Sequence, residues 1–205
     1  MAKSILEHFL SHFDKAREYK ASSRKNNHGL ETGYQEHLIG PGIKDGYFYD
    51  GSSHRMFRAN MQHFGIDQDS FLLNDNKFVQ VWQRTATTKY FTKVLGGATR
   101  GIKDVFRVFE KAGCDCVRVT FAKDKAPATA KVGYYVNVEC NLGTVGVLNS
   151  ELTDDLCIKV NPYYVADALT LMQAAECQSV ALYVCGSLLL IKGDRDIEYL
   201  ITGIK

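Results

Sequence analysis

The stretch from Asp154 to Lys205, "DDLCIKVNPYYVADALTLMQAAECQSVALYVCGSLLLIKGDRDIEYLITGIK", decides the fold. Asn161 is a preferred N-cap residue and Pro162 suits the first helical position, so a helix begins here. Its predicted buried stripe has helical spacing and comprises Val165, Ala168, Leu169 and Met172. The apolar runs "DLCIKV", "SVALYVCG", "LLLIKG" and "IEYLITGIK" predict strands. The stretch therefore predicts a helix set among antiparallel strands.

Two earlier segments repeat this rhythm of a helix followed by strands. Ser4 and Glu7 have the spacing of a capping box and predict a helix from about 4 to 20. The segment "GGATRGIKDVFRVFEKAG" predicts a helix over 98–113 that ends at Gly113. Its apolar face consists of Ile102, Val105, Phe106 and Phe109. The runs "CVRVTFA", "KVGYYVNVEC" and "GTVGVLN" then predict strands. The pattern indicates an α+β fold with helices on one face of antiparallel sheets, divided into residues 1–90 and 91–205.

The segments between these units predict strands in two places and leave a third place open between helix and strand. Short apolar runs broken by Gly-Pro-Gly and Asp-Gly predict a hairpin over 37–50. Residues 53–64 fit either a helix, with Phe57, Met61 and Phe64 on one face, or a strand. The segment "KFVQVWQRTATTKYFTKVL" alternates apolar and polar residues and predicts one or two strands.

Composition excludes several classes of protein. The 25 Lys and Arg against 23 Asp and Glu give a net charge of +2, so any affinity for DNA must come from local clustering. No apolar run reaches the length of about 18 residues that a membrane helix needs, and no secretory signal is present. The six cysteines fit reduced, mostly buried small side chains in a cytoplasmic protein. Cys114 and Cys116 lack a second pair at ligand spacing, so we expect no metal and no cofactor.

A basic stripe marks the middle helix. Arg100, Lys103, Arg107 and Lys111 are spaced three or four residues apart and so share one helix face. Such a stripe can follow the phosphate backbone of DNA. A solvated helix surface is the alternative, because Asp104 and Glu110 flank the stripe.

His54 and Arg55 follow Asp50-Gly51 and raise the alternative of an enzyme, with a histidine near an acid and an arginine for an anion. Hydrolytic or nucleotide chemistry would need further motifs. The chain contains no Gly-x-Ser-x-Gly, phosphate-binding loop, His-Glu-x-x-His or dinucleotide-binding glycine motif. We therefore predict that the protein is not an enzyme.

The C-terminal stretch resembles the end of the bacterial DNA polymerase III β subunit, the sliding clamp. That family has a "YVLDAL"-like helix, a "PLLI"-like strand and a "YLIMPVRL"-like last strand. The matching residues are Asn161, Tyr164, Val165, Asp167, Ala168 and Leu169 in the helix, Leu188 to Ile191 in the next-to-last strand, and Tyr199, Leu200 and Ile201 in the last strand. The resemblance is specific over 154–205 and loose before residue 90.

The resemblance also implies a pocket for short peptides from DNA polymerases and clamp loaders. "YDGSSHRMFR" is similar to the family's "ATDGHRLA"-like element, with two serines inserted. One wall of the pocket would comprise Gly51, His54, Arg55 and Met56, and the other Leu200, Ile201, Thr202, Gly203 and Ile204. Thr202-Gly203 replaces the family's Met-Pro, a departure that bears on peptide docking.

By this resemblance the protein is a clamp-like DNA-binding processivity factor in DNA replication, of phage or mobile-element origin. Its implied partners are double-stranded DNA, the peptide motifs of polymerase or clamp loader, and further copies of itself. A clamp subunit of that family carries six helix-plus-strand units and two subunits close the ring, whereas this chain has about three units. A closed ring would therefore need about four chains. The alternative is an incomplete clamp that mimics or inhibits a host clamp or its peptide partners.

Overall fold

The computed structural model describes residues 4–13, 41–52, 54–67, 77–86, 91–123, 134–140, 143–149 and 156–204. The chain divides into two compact units, Met1–Thr88 and Lys89–Lys205. In the described parts of each unit, helices accompany antiparallel strands, so the α+β fold class is confirmed.

The described elements of the first unit are α1 (Ile5–Ser11), β1 (Gly42–Lys44), β2 (Tyr47–Gly51), β3 (Arg55–Asn60) and α2 (Lys77–Ala86). The capping box of α1 is present, because the Ser4 hydroxyl accepts from the Glu7 N–H and the Glu7 carboxylate accepts from the Ser4 N–H. A helix is predicted over 4–20, but His12 and Phe13 already form a turn, and residues 14–20 lie outside the described residues. The core of this unit is aromatic, with Phe9 and Phe48 rings 5.9 Å apart and Phe9 and Phe57 rings 5.3 Å apart.

The predicted hairpin is confirmed where it is described. β1 and β2 pair antiparallel, and Asp45 and Gly46 between them have φ of 52° and 78°. Positive φ at both central positions is the requirement of the tight turn that matches strand twist. Part of the predicted segment, 37–40, lies outside the described residues.

The open question over residues 53–64 is settled as a strand followed by a turn. β3 pairs antiparallel with β2, from Tyr47 opposite Asn60 to Gly51 opposite Met56. Arg55, Met56 and Phe57 are all buried in succession, which means that both faces of this strand end are covered. Burial on both faces removes the alternation that a half-exposed strand would have.

The strand prediction for "KFVQVWQRTATTKYFTKVL" is wrong in its first half, because Lys77–Ala86 is helix α2. Val79 and Trp82, three residues apart, are both buried, whereas Gln80 and Gln83 are exposed. The Trp82 ring lies 6.3 Å from that of Tyr49 on β2. The sequence of this segment fits both a helical spacing and a strand-like alternation of apolar and polar residues. The packing of Trp82 against Tyr49 accompanies the helix. In the second half, Thr92–Leu95 is the first part of strand β4, and residues 87–90 lie outside the described residues.

Within the described residues, eight strands of the second unit pair antiparallel in two sets of four neighbours. One has the order β11-β10-β9-β4 and the other β7-β6-β5-β8. Their bounds are β4 (Thr92–Ala98), β5 (Val117–Lys123), β6 (Tyr134–Cys140), β7 (Gly143–Asn149), β8 (Leu156–Val160), β9 (Ser179–Cys185), β10 (Leu188–Gly193) and β11 (Ile197–Thr202). Each of these strands overlaps a segment predicted from sequence, although β4 continues past the predicted end at Leu95 and β5 continues one residue past Ala122.

Helices α3 (Thr99–Lys111) and α4 (Pro162–Ala174) complete the second unit and confirm both helix predictions. Asn161 caps α4, its side-chain oxygen accepting from the Tyr163 N–H at 2.9 Å. The predicted stripe of α4 has no exposed surface, each member lying at 0%. On α3, Ile102, Phe106 and Phe109 are buried as predicted, while Val105 is half-buried. Burying one large apolar side chain contributes about 1.5–3 kcal/mol, so these faces hold the unit together.

The two helices end in the same way. After α3, the Cys114 N–H donates to the Phe109 carbonyl at 3.0 Å, with Gly113 at φ 74°. After α4, the Cys177 N–H donates to the Met172 carbonyl at 2.9 Å, with Glu176 at φ 60°. Both arrangements are Schellman motifs, in which a left-handed residue stops the helix.

The expectation that the cysteines are mostly buried is wrong. Cys177 is buried, Cys157 is exposed, and the others lie between these limits. Burial raises the pKa of the Cys177 thiol to about 11. None of the helices in the described part of the chain combines the length and apolar character that a bilayer crossing needs.

Candidate nucleic-acid interface and peptide-binding residues

Helices α3 and α4 form one antiparallel pair in the second unit. The hydroxyl of Thr99, at the start of α3, donates to the carbonyl of Cys177 beyond the end of α4, at 2.8 Å. The Thr99 N–H donates to the Gln178 carbonyl at 3.0 Å. One turn later, the Lys103 ammonium donates to the side-chain oxygen of Gln173. As the position on α3 increases from 99 to 103, the position of its partner decreases from 177 to 173, so the helices are antiparallel. The bonds fix the register of the two helices.

The four predicted basic residues of α3 divide into two groups. Arg100, Arg107 and Lys111 are exposed. Lys103 is 8% exposed and is directed at Gln173. Its burial, followed by the repulsion of Arg107, lowers the pKa of Lys103. Lys103 therefore contributes to the contact between the two helices, and the exposed basic face is smaller than the sequence indicates.

The exposed face of α3 keeps a positive balance. Asp104 is exposed between the basic residues, and Glu110 is half-buried. Helix α4 contains neither Lys nor Arg, and Asp167 is its one charged residue. The positive charge of the helix pair thus lies on α3, where Lys111 in the last turn also interacts favourably with the helix dipole. We call Arg100, Arg107 and Lys111 the basic face.

The predicted C-terminal wall is partly core. Leu200 and Ile201 are 2% and 0% exposed and belong to β11, so their side chains fill the interior. Thr202 and Ile204 are exposed, the latter by 43%. These two residues, with half-buried Gly203, are the part of this wall that a peptide could reach.

Gly203 holds the C-terminal segment against two neighbouring chain segments. Its N–H donates to the Ser187 carbonyl at 2.6 Å, and the following Ile204 N–H donates to the Lys159 carbonyl on β8 at 2.8 Å. A Cβ on Gly203 would lie 2.9 Å from that Lys159 oxygen and 3.0 Å from the Ser187 oxygen. Only glycine fits such an approach without displacement. Sequence reasoning included Gly203 by family position but missed this role, which depends on residues distant in sequence.

The other predicted wall lies at the β2–β3 connection of the first unit. Gly51, Arg55 and Met56 are buried, whereas His54 is exposed. The Asp50 carboxylate accepts from the Gly51 N–H at 2.8 Å, and the Arg55 guanidinium lies 5.3 Å from the centre of the Phe13 ring. Arg55 and Asp50 are thus engaged in the unit's interior. Among the described residues, no group of three or more His, Cys, Asp and Glu side chains is arranged to hold a metal ion.

The fold is similar to solved bacterial sliding clamps. The DNA polymerase III β subunit of Pseudomonas aeruginosa matches with a TM-score of 0.59 at 12% identity, over 86% of this chain and 60% of that one. The β chain of DNA polymerase III from Streptococcus pneumoniae matches with a TM-score of 0.56 at 13% identity, over 94% of this chain and 63% of that one. The Helicobacter pylori β clamp, solved with a DNA ligase peptide, matches with a TM-score of 0.55 at 11% identity, over 86% and 60%.

These matches establish the clamp fold for this chain. The chain spans about three fifths of the length of those clamp subunits. No protein-family model matches the sequence, and no curated protein matches it.

Proposed function

We propose that this protein is a clamp-like DNA-binding factor that holds a replication protein near DNA and catalyses no reaction itself. The observation that carries the proposal is the shared clamp fold. A clamp holds DNA by enclosing it and needs a weakly basic inner helix face rather than a large net charge. The net charge of +2 and the basic face on α3 fit that requirement.

DNA would contact the protein at the basic face. Three exposed cationic side chains on one helix suffice for a weak, sequence-independent contact with phosphates. Arg107 and Lys111 are four residues apart and so present their charges together. Lys103 belongs to the predicted stripe, but its side chain is bonded to Gln173 of α4 and holds α3 in place.

The second part of the proposal is peptide docking. The Helicobacter pylori clamp was solved with a DNA ligase peptide, and this supports a peptide partner for a chain of the same fold. We retain the predicted residues of both walls. Thr202 and Ile204 are exposed, whereas Met56 is buried, with 9% of its surface exposed. Apolar anchors of this kind often contribute 2 kcal/mol or more to binding.

A peptide titration tests the docking proposal. A fluorescent polymerase-type clamp-binding peptide should bind the wild-type chain, and Ile204→Ala and Met56→Ala should each weaken binding. Ile204 is exposed beyond the last strand, so its truncation leaves the buried β11 intact. Val108→Ala, which truncates an exposed apolar side chain on α3, is the control. Equal affinities for wild type and both wall variants would exclude this pocket.

Light scattering tests the assembly. A ring made of such chains needs about four copies, which corresponds to about 92 kDa for a chain of 23.0 kDa. A mass near that value supports a closed ring. A monomer that binds the peptide or a host clamp supports the alternative of an incomplete, inhibitory clamp. An enzyme based on His54 and Arg55 has no support from the geometry, because Arg55 is buried.

A further inference from the structure

Two cysteines that are distant in sequence meet at one end of the sheet β7-β6-β5-β8. The Sγ atoms of Cys114 and Cys140 are 3.1 Å apart, with the Cys114 thiol donating to the Cys140 sulfur. They are separated by 26 positions in the sequence. Both side chains are half-buried, so small molecules can reach them while their surroundings keep them together.

The backbone on both sides of this contact is fixed. Cys114 follows the Schellman motif of α3, and its N–H is bonded to the Phe109 carbonyl. Cys140 is the last residue of β6 and lies opposite Gly143 of β7. Side-chain rotation that shortens the separation by about 1 Å would bring the sulfurs to the bond length of about 2.05 Å. The sulfur contact is therefore set by regular structure on each side.

We propose that Cys114 and Cys140 are a redox-modification site that forms a reversible disulfide by exchange with a low-molecular-weight disulfide. One cysteine thiolate attacks the small disulfide, forming a mixed disulfide and releasing one small thiol. The other cysteine then attacks the mixed disulfide at the protein sulfur and releases the second small thiol. The two protein thiols lose two electrons and two protons in total, and the small disulfide is reduced to two thiols.

The disulfide would join the end of α3 to the end of β6. The hydrogen bond to Cys140, followed by burial, raises the pKa of the Cys114 thiol. Because the thiolate is the reactive form, the raised pKa makes attack by Cys114 slow at neutral pH, and the rate of exchange should increase as the solution is made alkaline. The other cysteines are placed differently, since Cys177 is buried and Cys157 lies exposed on β8.

Peptide mapping of the oxidised full chain tests the proposal. The protein is incubated with oxidised glutathione, remaining thiols are alkylated, and the proteolytic peptides are identified by mass spectrometry. We expect a peptide pair linked through Cys114 and Cys140, an intact mass lower by two hydrogen atoms, and full reversal by dithiothreitol.

Two variants test whether the link depends on Cys114 and not on Cys157. Cys157→Ser should form the same link at the same rate, because Cys157 lies on β8 opposite Thr120, and β5 separates β8 from the β6 strand that ends at Cys140. Cys114→Ser should abolish the link and leave Cys140 as a glutathione adduct. A disulfide that joins Cys116 to Cys140 in the wild-type chain, or adducts on Cys114 and Cys140 without a link, would overturn the proposal.

Discussion

The ammonium group of Lys103 on α3 donates a hydrogen bond to the side-chain oxygen of Gln173 on α4. The sequence predicts that Lys103 lies in a DNA-facing stripe, but its side chain is only 8% exposed and is bonded to the neighbouring helix. This contact packs the two helices together and removes one positive charge from the exposed basic face.

Removal of Gln173 should leave the Lys103 charge buried without this partner. Gln173→Ala should lower the free energy of unfolding by about 1–3 kcal/mol, because an unsatisfied buried donor loses its hydration without compensation. The double variant Lys103→Met with Gln173→Ala should lose less, since both polar groups are then gone. Urea unfolding of the two variants measures this difference. A double variant that is as unstable as Gln173→Ala would contradict the role of the bond.

The stripe of α4 should account for much of the stability of the second unit. Leu169 has no exposed surface, so Leu169→Ala should lower the free energy of unfolding by about 2–5 kcal/mol. Thr170→Ala is the matched control, because Thr170 is exposed on the same helix and its truncation should change stability by about 0.5 kcal/mol or less. Denaturant unfolding distinguishes the two, and similar small losses would mean that the helix face is wrongly assigned.

Two glycine-to-alanine substitutions should act in opposite directions. A Cβ on Gly203 would meet the Lys159 carbonyl at 2.9 Å, so Gly203→Ala should destabilise the C-terminal segment by about 1–3 kcal/mol. A Cβ on Gly101 in α3 meets nothing within 4 Å, so Gly101→Ala should stabilise by about 0.5–1 kcal/mol. Thermal unfolding of both variants checks the signs. A neutral Gly203→Ala would show that the close approach is not required.

Asp194 should make stability depend on acid pH. Burial by itself would raise the pKa of Asp194, but bonds from the Ser179 N–H and hydroxyl, both 2.9 Å, outweigh it and lower the pKa below 3.8. A carboxyl with a depressed folded-state pKa adds stability above the unfolded value and loses it as the pH falls through the folded value. Asp194→Asn should therefore be less stable than wild type at neutral pH. The difference should shrink as the pH falls below the ordinary pKa of an aspartate and through the lowered folded-state pKa. A difference that stays constant over this range would contradict the prediction.

Short-range interactions made much of the fold predictable. The pairs Ser4 with Glu7 and Asn161 with Pro162 act within one helical turn, so their residue types alone define the helix starts. The Asp45-Gly46 turn is equally local, because its positive φ values depend on those two residues.

Longer-range contacts explain the errors. The segment with Val79, Val81 and Trp82 satisfies a strand and a helix pattern alike, and packing of Trp82 against Tyr49 accompanies the helix. Lys103 has the right spacing for the basic stripe, but Gln173, 70 positions away, draws it into the helix contact. Neither partner is visible in the local sequence. The basic face and the peptide walls remain predictions.

The salt dependence of duplex DNA binding tests the central claim that the basic face of α3 contacts DNA. Each phosphate contact contributes about 0.9 to the slope of log affinity against log salt concentration. The variant Arg107→Glu with Lys111→Glu, both exposed, should therefore bind more weakly, with a slope smaller by about 1.8.

The matched control is Arg118→Glu with Lys159→Glu. These two residues are exposed and lie opposite each other on β5 and β8, so the pair makes the same change in net charge away from α3. We predict that the control keeps the wild-type slope while the α3 variant loses about two contacts. Equal slopes for wild type, control and α3 variant would contradict the account.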